Sequence, residues 1–122
     1  MQEKVSKEEL KAEIDRGEFA RAALMAESLG LDEKEVQQLR LNALWQMSAV
    51  YRNAPGTKRL AEQYGLSKNE VRQILEKHAD EEKKAGNERP LRPRYDLSSG
   101  RYLSFEEWID HFAKKWERLS RQ

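Results

Sequence analysis

Four short signals for the start of a helix are the feature of this sequence that most limits its fold. In each, an oxygen-bearing side chain is followed three residues later by glutamate, the reciprocal pairing that satisfies free amide hydrogens at a helix N-terminus. The pairs are Ser6/Glu9, Asp32/Glu35, Ser67/Glu70 and Ser104/Glu107. Gly17, Gly30 and Gly65 each follow a helical stretch and can end it in the left-handed conformation. We therefore expect an all-α protein of five or six helices.

The composition restricts both the fold and the compartment. Charged residues make up 37% of the 122 residues and only three prolines occur, which favours helices whose outer faces carry Glu, Lys and Arg. Cysteine is absent, so disulfides, thiolate zinc sites and cysteine nucleophiles are excluded and a reducing cytoplasm is the natural compartment. Neither a secretion signal nor a long apolar run occurs. We expect a cytoplasmic protein that needs no cofactor.

The helical signals divide the chain into four segments. Predicted helices cover residues 6–16, 18–29, 33–52, 57–64, 68–83 and 105–119. The helix at 33–52 has an apolar arc too wide for a surface helix and is expected to be central, and Pro55-Gly56 breaks the chain after it. The organisation is an N-terminal helical unit at 1–56, a helix-turn-helix at 57–83, an extended basic arm or linker at 84–103 and an amphipathic aromatic helix at 104–122. We expect these segments to form one compact domain.

Part of the sequence occurs twice. The stretch AESLGLDEKEVQQL from Ala26 and the stretch AEQYGLSKNEVRQI from Ala61 agree at eight of fourteen positions, counting the final aliphatic residue, at an offset of 35. The shared positions are a small residue where two helices cross, a glycine that turns the chain, and aliphatic residues that bury the second helix. Duplication and chance both remain open. In either case each copy predicts a tight helix-turn-helix.

The second copy resembles the helix-turn-helix motif of bacterial and phage DNA-binding proteins. The resemblance rests on Leu60-Ala61, Gly65, Leu66-Ser67, Val71 and Ile74. It covers residues 57–76 and identifies a motif, not one family of regulators. It implies that the second helix enters the major groove of double-stranded DNA with its N-terminus first, where Arg can bridge guanine and Asn or Gln can pair with adenine.

This resemblance assigns roles to ten polar residues. The candidates for base contact are Ser67, Lys68, Asn69, Arg72 and Gln73, and the candidates for phosphate contact are Thr57, Lys58, Arg59, Arg52 and Lys77. Residues 41–79 carry six Lys or Arg against three Asp or Glu, which suits a polyanion. The first copy has three anions at 32–35 and is expected to be structural. We expect a transcriptional or replication-related regulator that binds DNA as a homodimer.

Three features have two interpretations each. The helix pair at 57–76 could instead belong to a helical protein-interaction module that binds no nucleic acid. The arm RPLRPRY with Arg101-Tyr102 could follow a phosphate backbone or enter a minor groove, or it could be a stiff linker. The aromatic stripe of the last helix belongs either to the core or to a dimer seam. The stripe consists of Phe105, Trp108, Phe112 and Trp116.

No enzyme active site or metal site is expected. His78 and Glu82 have ligand spacing on a helix, and Asp110-His111 could form an acid-base pair. Neither pair has a third convergent group in the sequence pattern. A catalytic function is therefore the class with the least support.

Overall fold

A computed structural model describes residues 6–119. The chain divides into two compact units, Met1–Gln46 and Met47–Gln122, whereas the sequence predicted one compact domain. The helices are α1 Lys7–Asp15, α2 Phe19–Ser28, α3 Glu33–Trp45, α4 Ala54–Gln63, α5 Lys68–Lys84, α6 Phe105–Lys114 and α7 Trp116–Leu119. Two strands, β1 Arg94–Asp96 and β2 Arg101–Leu103, form an antiparallel hairpin. The predicted all-α class is confirmed, with one more helix in the described part than the upper estimate and a small hairpin added.

The first unit is built around α2, which packs against both α1 and α3. Three alanines of α2 are almost fully buried, and their small side chains allow the neighbouring helices to approach closely. The core residues are Leu10, Ala22, Ala23, Ala26, Val36 and Leu39. Within residues 6–119 no helix has both the length and the apolar character that a membrane span requires.

Three of the four predicted caps form as expected. The side chains of Ser6, Ser67 and Ser104 each accept a hydrogen bond from the amide three residues later. At Ser67 and Ser104 the glutamate also accepts from the cap amide, which completes the reciprocal pair. Asp32 is the exception, because it precedes α3 without a side-chain cap bond. The helix starts at that position nonetheless.

The end of the predicted central helix differs from the expectation. The α-helical hydrogen bonding stops at Trp45, and a π-helical turn follows at Gln46–Val50. Arg52 then takes a left-handed conformation, with φ of 51°. Pro55-Gly56 lies inside the first turn of α4 instead of between helices, because proline lacks only an amide hydrogen that a first helical turn leaves unpaired.

The second unit is organised by the buried face of α6. Phe105, Trp108 and Phe112 are 1–2% exposed, and their rings stack with centroids 5.9 and 5.2 Å apart along the helix. The helix α5 packs on α6 through a face that includes the fully buried Val71 and Leu75. The helices α4 and α7 also pack together. This core holds α5 in place and leaves its opposite side open to solvent.

The segment 84–103 is folded and is not an extended arm or linker. The helix α5 continues to Lys84, a 3-10 turn occupies Arg89–Leu91, and the hairpin follows. Leu103 is 2% exposed, so the hairpin is anchored in the core of the unit. The prolines and glycines of this segment therefore mark tight turns and not a loose connection.

Candidate nucleic-acid interface

The two sequence copies form the same turn. Gly30 and Gly65 have φ values of 68° and 72°. The next amide, of Leu31 or Leu66, donates to the carbonyl of Ala26 or Ala61 at 3.1 and 2.8 Å respectively. This six-to-one bond and the glycine that allows it define a Schellman ending of the first helix. Ala26 and Ala61 are both 0% exposed, so the two turns are alike, but α2 packs extensively on α3 whereas α4 has few contacts with α5.

The outer side of α5 carries a row of polar side chains that face solvent. Asn69, Gln73 and Lys77 are exposed and are spaced four residues apart, which places them in line along one side of the helix. None of the three is engaged in a side-chain hydrogen bond or ion pair with the described part of the chain. Two amides and an ammonium in one row can therefore donate and accept hydrogen bonds with a partner.

Ser67 and Lys68 stand at the N-terminus of α5, next to this row. Ser67 is exposed, but its hydroxyl oxygen accepts from the Glu70 amide at 3.2 Å. Hydrogen bonds from the Ser67 backbone and side chain hold the pKa of Glu70 below its usual range. Ser67 thus works as a cap, and Lys68 is half-buried at the first position of the helix. Arg59 of α4 is exposed, so its guanidinium is accessible to a partner.

Arg72 is already engaged inside the unit. Its guanidinium lies 3.4 Å from the Glu76 carboxylate and 3.3 Å from the Asp110 carboxylate of α6. Lys114 and, less strongly, Arg72 lower the pKa of Asp110. The side chain of Arg72 is 35% exposed, so it can reach a base only by giving up its bond to α6. Its expected role as a leading base reader is weakened by this pairing.

Thr57 and Lys58 are buried, which corrects their expected position on a phosphate-binding surface. Thr57 is 0% exposed, and its hydroxyl donates to the Asn53 carbonyl at 2.7 Å. Lys58 is 3% exposed. Its ammonium donates to the Trp116 carbonyl and lies 4.9 Å from the centre of the Trp116 ring. Both residues therefore connect α4 to its own unit.

Arg52 is also structural and does not extend a phosphate clamp. Its guanidinium donates to the carbonyls of Leu103, Pro90 and Arg92, each at 3.0 Å. It lies 5.5 Å from the centre of the Phe105 ring. Burial, together with the nearby charge of Arg94, lowers the pKa of Arg52 to about 10. Five of the ten predicted contact residues already make contacts within the unit, namely Arg52, Thr57, Lys58, Ser67 and Arg72.

Three of the four residues of the aromatic stripe lie in the core of the second unit. Phe105, Trp108 and Phe112 are covered by the chain itself. Trp116 is half-buried and meets Phe112 edge to face at 5.5 Å. The three buried rings are therefore part of the core of this unit, and Trp116 is the member of the stripe with an accessible surface.

A polar cluster joins the hairpin tip to α6. The Ser98 hydroxyl lies 2.8 Å from the Asp96 carboxylate and 3.3 Å from His111 Nε2. The carboxylate lies 3.8 Å from that same ring nitrogen. A catalytic triad needs the carboxylate and the hydroxyl on opposite ring nitrogens, so this cluster is a positioning contact. Among the described residues no group of three metal-ligating side chains occurs.

From this cluster we expect the stability of the hairpin to fall in acid. Burial alone would raise the pKa of Asp96, but hydrogen bonds from Ser99 and Ser98 outweigh this effect and hold the pKa below its usual range. Burial and then Lys115 lower the pKa of His111. Both groups bind fewer protons in the folded state than in the unfolded chain, so stability is highest above the unfolded pKa values and falls as pH decreases. We expect urea midpoints to fall between about pH 7 and pH 3.

Two variants separate the contributions to this acid sensitivity. His111→Gln should flatten the upper part of the decrease, between about pH 7 and pH 5, because glutamine does not titrate. Asp96→Asn should flatten the part below about pH 5. A pH profile unchanged in both variants would show that other groups control the acid response.

The sequence pattern missed the hairpin and the role of Arg52. For Arg52, the only signal in the sequence was a basic residue next to helix-breaking positions. The chain is helical and contains two similar glycine turns between helices, and its second unit carries a β-hairpin and an exposed polar row. No protein-family model, no curated protein and no solved structure matches this chain.

Proposed function

We propose that the second unit binds duplex DNA through α5 and acts in the cytoplasm as a regulator of transcription or replication. The observation that carries the proposal is the row of Asn69, Gln73 and Lys77, which is exposed and whose side chains are not engaged by residues 6–119. The row lies on a capped helix that begins directly after a tight glycine turn. Such a helix suits entry into a groove about 12 Å wide.

The chemistry of the row fits the edge of a base pair. An Asn or Gln amide can donate to adenine N7 and accept from its N6 amino group in one bidentate contact. Lys77, one turn beyond Gln73, can reach guanine or a phosphate. At the helix N-terminus, the positive end of the dipole and Lys68 favour a phosphate, and Arg59 adds a second cation on α4.

The acidic neighbours limit the affinity of this surface. Glu62, Glu70 and Glu76 are exposed on the same two helices. With about three phosphate contacts in each subunit, from Arg59, Lys68 and Lys77, the slope of log affinity against log salt should be near −3 for one subunit and about −5 for a homodimer. We therefore propose a regulator that depends on base readout and on a homodimer, in which two copies of α5 address neighbouring major grooves.

Selection of bound duplexes from a random library, followed by fluorescence anisotropy, tests the proposal. The double variant Asn69→Ala/Gln73→Ala should bind the selected duplex at least about tenfold more weakly, because each bidentate amide contact contributes roughly 1–3 kcal/mol. Its affinity for random duplexes should be nearly unchanged, since phosphate contacts do not depend on sequence.

A matched control comes from the first copy. Gln38 occupies the position equivalent to Gln73 at the offset of 35 and is also exposed, so Gln38→Ala should bind like the unchanged protein. Equal binding by all three proteins to the selected duplex would refute the role of α5.

The competing function is a helical protein-interaction module. The observation in its favour is that Arg52, Lys58 and Arg72 are all used for contacts inside the unit, which leaves the surface nearly neutral. Salt distinguishes the two functions. Duplex binding weakens steadily as salt rises because counterions are released, whereas a protein partner held by apolar burial persists.

A further inference from the structure

The outer face of the hairpin carries exposed aromatic and apolar side chains. Tyr95 and Tyr102 are cross-strand partners whose rings meet edge to face with centroids 5.4 Å apart. They are 54% and 70% exposed, and Leu97 at the tip is 90% exposed. Leu103 points to the opposite face and is buried. Exposed apolar side chains gathered on one face indicate a binding surface.

The segment around these side chains is strongly basic. Residues 89–103 contain four arginines and one aspartate. The aspartate, Asp96, accepts hydrogen bonds from Ser98 and Ser99 at 2.8 Å. Arg92 and Arg101 are exposed. Arg101 shares a shallow depression with Glu107, Asp110 and Lys114 of α6. The positive charge of Lys114 partly offsets the negative charges of the two carboxylates there. The charge of the segment favours a polyanionic partner.

Contacts along α6 place the hairpin tip near the N-terminal half of α5. Asp110 of α6 is bound by Arg72 of α5. The next residue, His111, contacts Ser98 at the tip, and Lys115 Nζ lies 3.3 Å from the same hydroxyl. The tip and α5 therefore contact neighbouring residues of the same turn of α6.

We propose that the hairpin tip is a second DNA contact, which enters the minor groove that borders the major groove occupied by α5. Leu97 and the tyrosine pair contact sugars and base edges, as apolar side chains do in proteins that bind the minor groove. Arg92 and Arg101 contact the phosphates on either side. This inference rests on the proposed function of α5, and it adds readout of the sequence beside the α5 site.

Binding and footprinting of the full chain on the selected duplex test the hairpin. Leu97→Ala/Tyr102→Ala should weaken binding about tenfold or more, which corresponds to 1.4 kcal/mol. Hydroxyl radicals attack sugars that line the minor groove, so the footprint of this variant should lose protection on one flank and keep its centre. Both side chains are exposed, and circular dichroism should show unchanged folding. Tyr51→Ala, another exposed tyrosine of the same unit at 60%, is the matched control and should bind normally.

The two proposals fail in different ways. Unchanged affinity and footprint in the hairpin variant, with weakened binding by Asn69→Ala/Gln73→Ala, would overturn the hairpin contact and leave the α5 proposal intact. Weakened binding by the hairpin variant alone would support the hairpin contact and overturn the role of α5. The absence of any protected duplex with the unchanged protein would overturn both.

Discussion

Arg52→Ala should destabilise the second unit by roughly 2–3 kcal/mol. The substitution removes a guanidinium that donates to three carbonyls of the segment 90–103. These carbonyls come from the 3-10 turn, from the residue that follows it and from the end of β2. Because the three carbonyls lose their donor, we expect the hairpin to lose its attachment first. Urea unfolding and amide exchange at Tyr102 and Leu103 measure the two effects.

Two further variants separate the hydrogen bonds from the backbone. Arg52 has φ of 51°, a conformation that glycine adopts at little cost. Arg52→Gly should therefore be less destabilising than Arg52→Ala by about 1 kcal/mol, while it loses the same three bonds. Arg92→Ala is the control, because Arg92 contributes its carbonyl and its side chain is exposed. If Arg52→Ala and Arg92→Ala lowered the free energy of unfolding equally, the hydrogen bonds of the Arg52 side chain would make no net contribution to stability.

The local features of this chain could be predicted from its sequence. The caps at Ser67 and Ser104 and the turns at Gly30 and Gly65 depend on side chains and dihedral angles within a few residues. Each formed where the pattern indicated. The exposed side of α5 also follows from helical periodicity alone once the buried row with Val71 is recognised.

The errors concern contacts that span the chain. Lys58 looked like an exposed cation, but its ammonium binds a carbonyl 58 residues away. Arg52 binds residues 38 to 51 positions away. The hairpin has only three residues in each strand, too few for an alternating pattern to be recognised. It is held by Leu103 in the core and by Arg52, and neither interaction leaves a local signal.

Trp108→Ala should lower the free energy of unfolding of the second unit by about 3–5 kcal/mol. Trp108 is 2% exposed and stacks between Phe105 and Phe112, so alanine leaves a large cavity in the middle of the stripe. The cost arises inside one chain and should not depend on protein concentration. Urea unfolding at two concentrations that differ a hundredfold, with sedimentation at each, measures both properties.

The matched control for Trp108 is an aromatic residue outside the core. Tyr102→Ala removes a ring that is 70% exposed and should change stability by less than about 0.5 kcal/mol. Substitution of a residue in a dimer seam would differ from both Trp108→Ala and Tyr102→Ala. It would shift the equilibrium between monomer and dimer and make the measured stability depend on protein concentration. If Trp108→Ala mainly dissociated a dimer, the stripe would be an interface after all. The buried stripe would then no longer explain how α6 holds α5 with its polar row toward solvent.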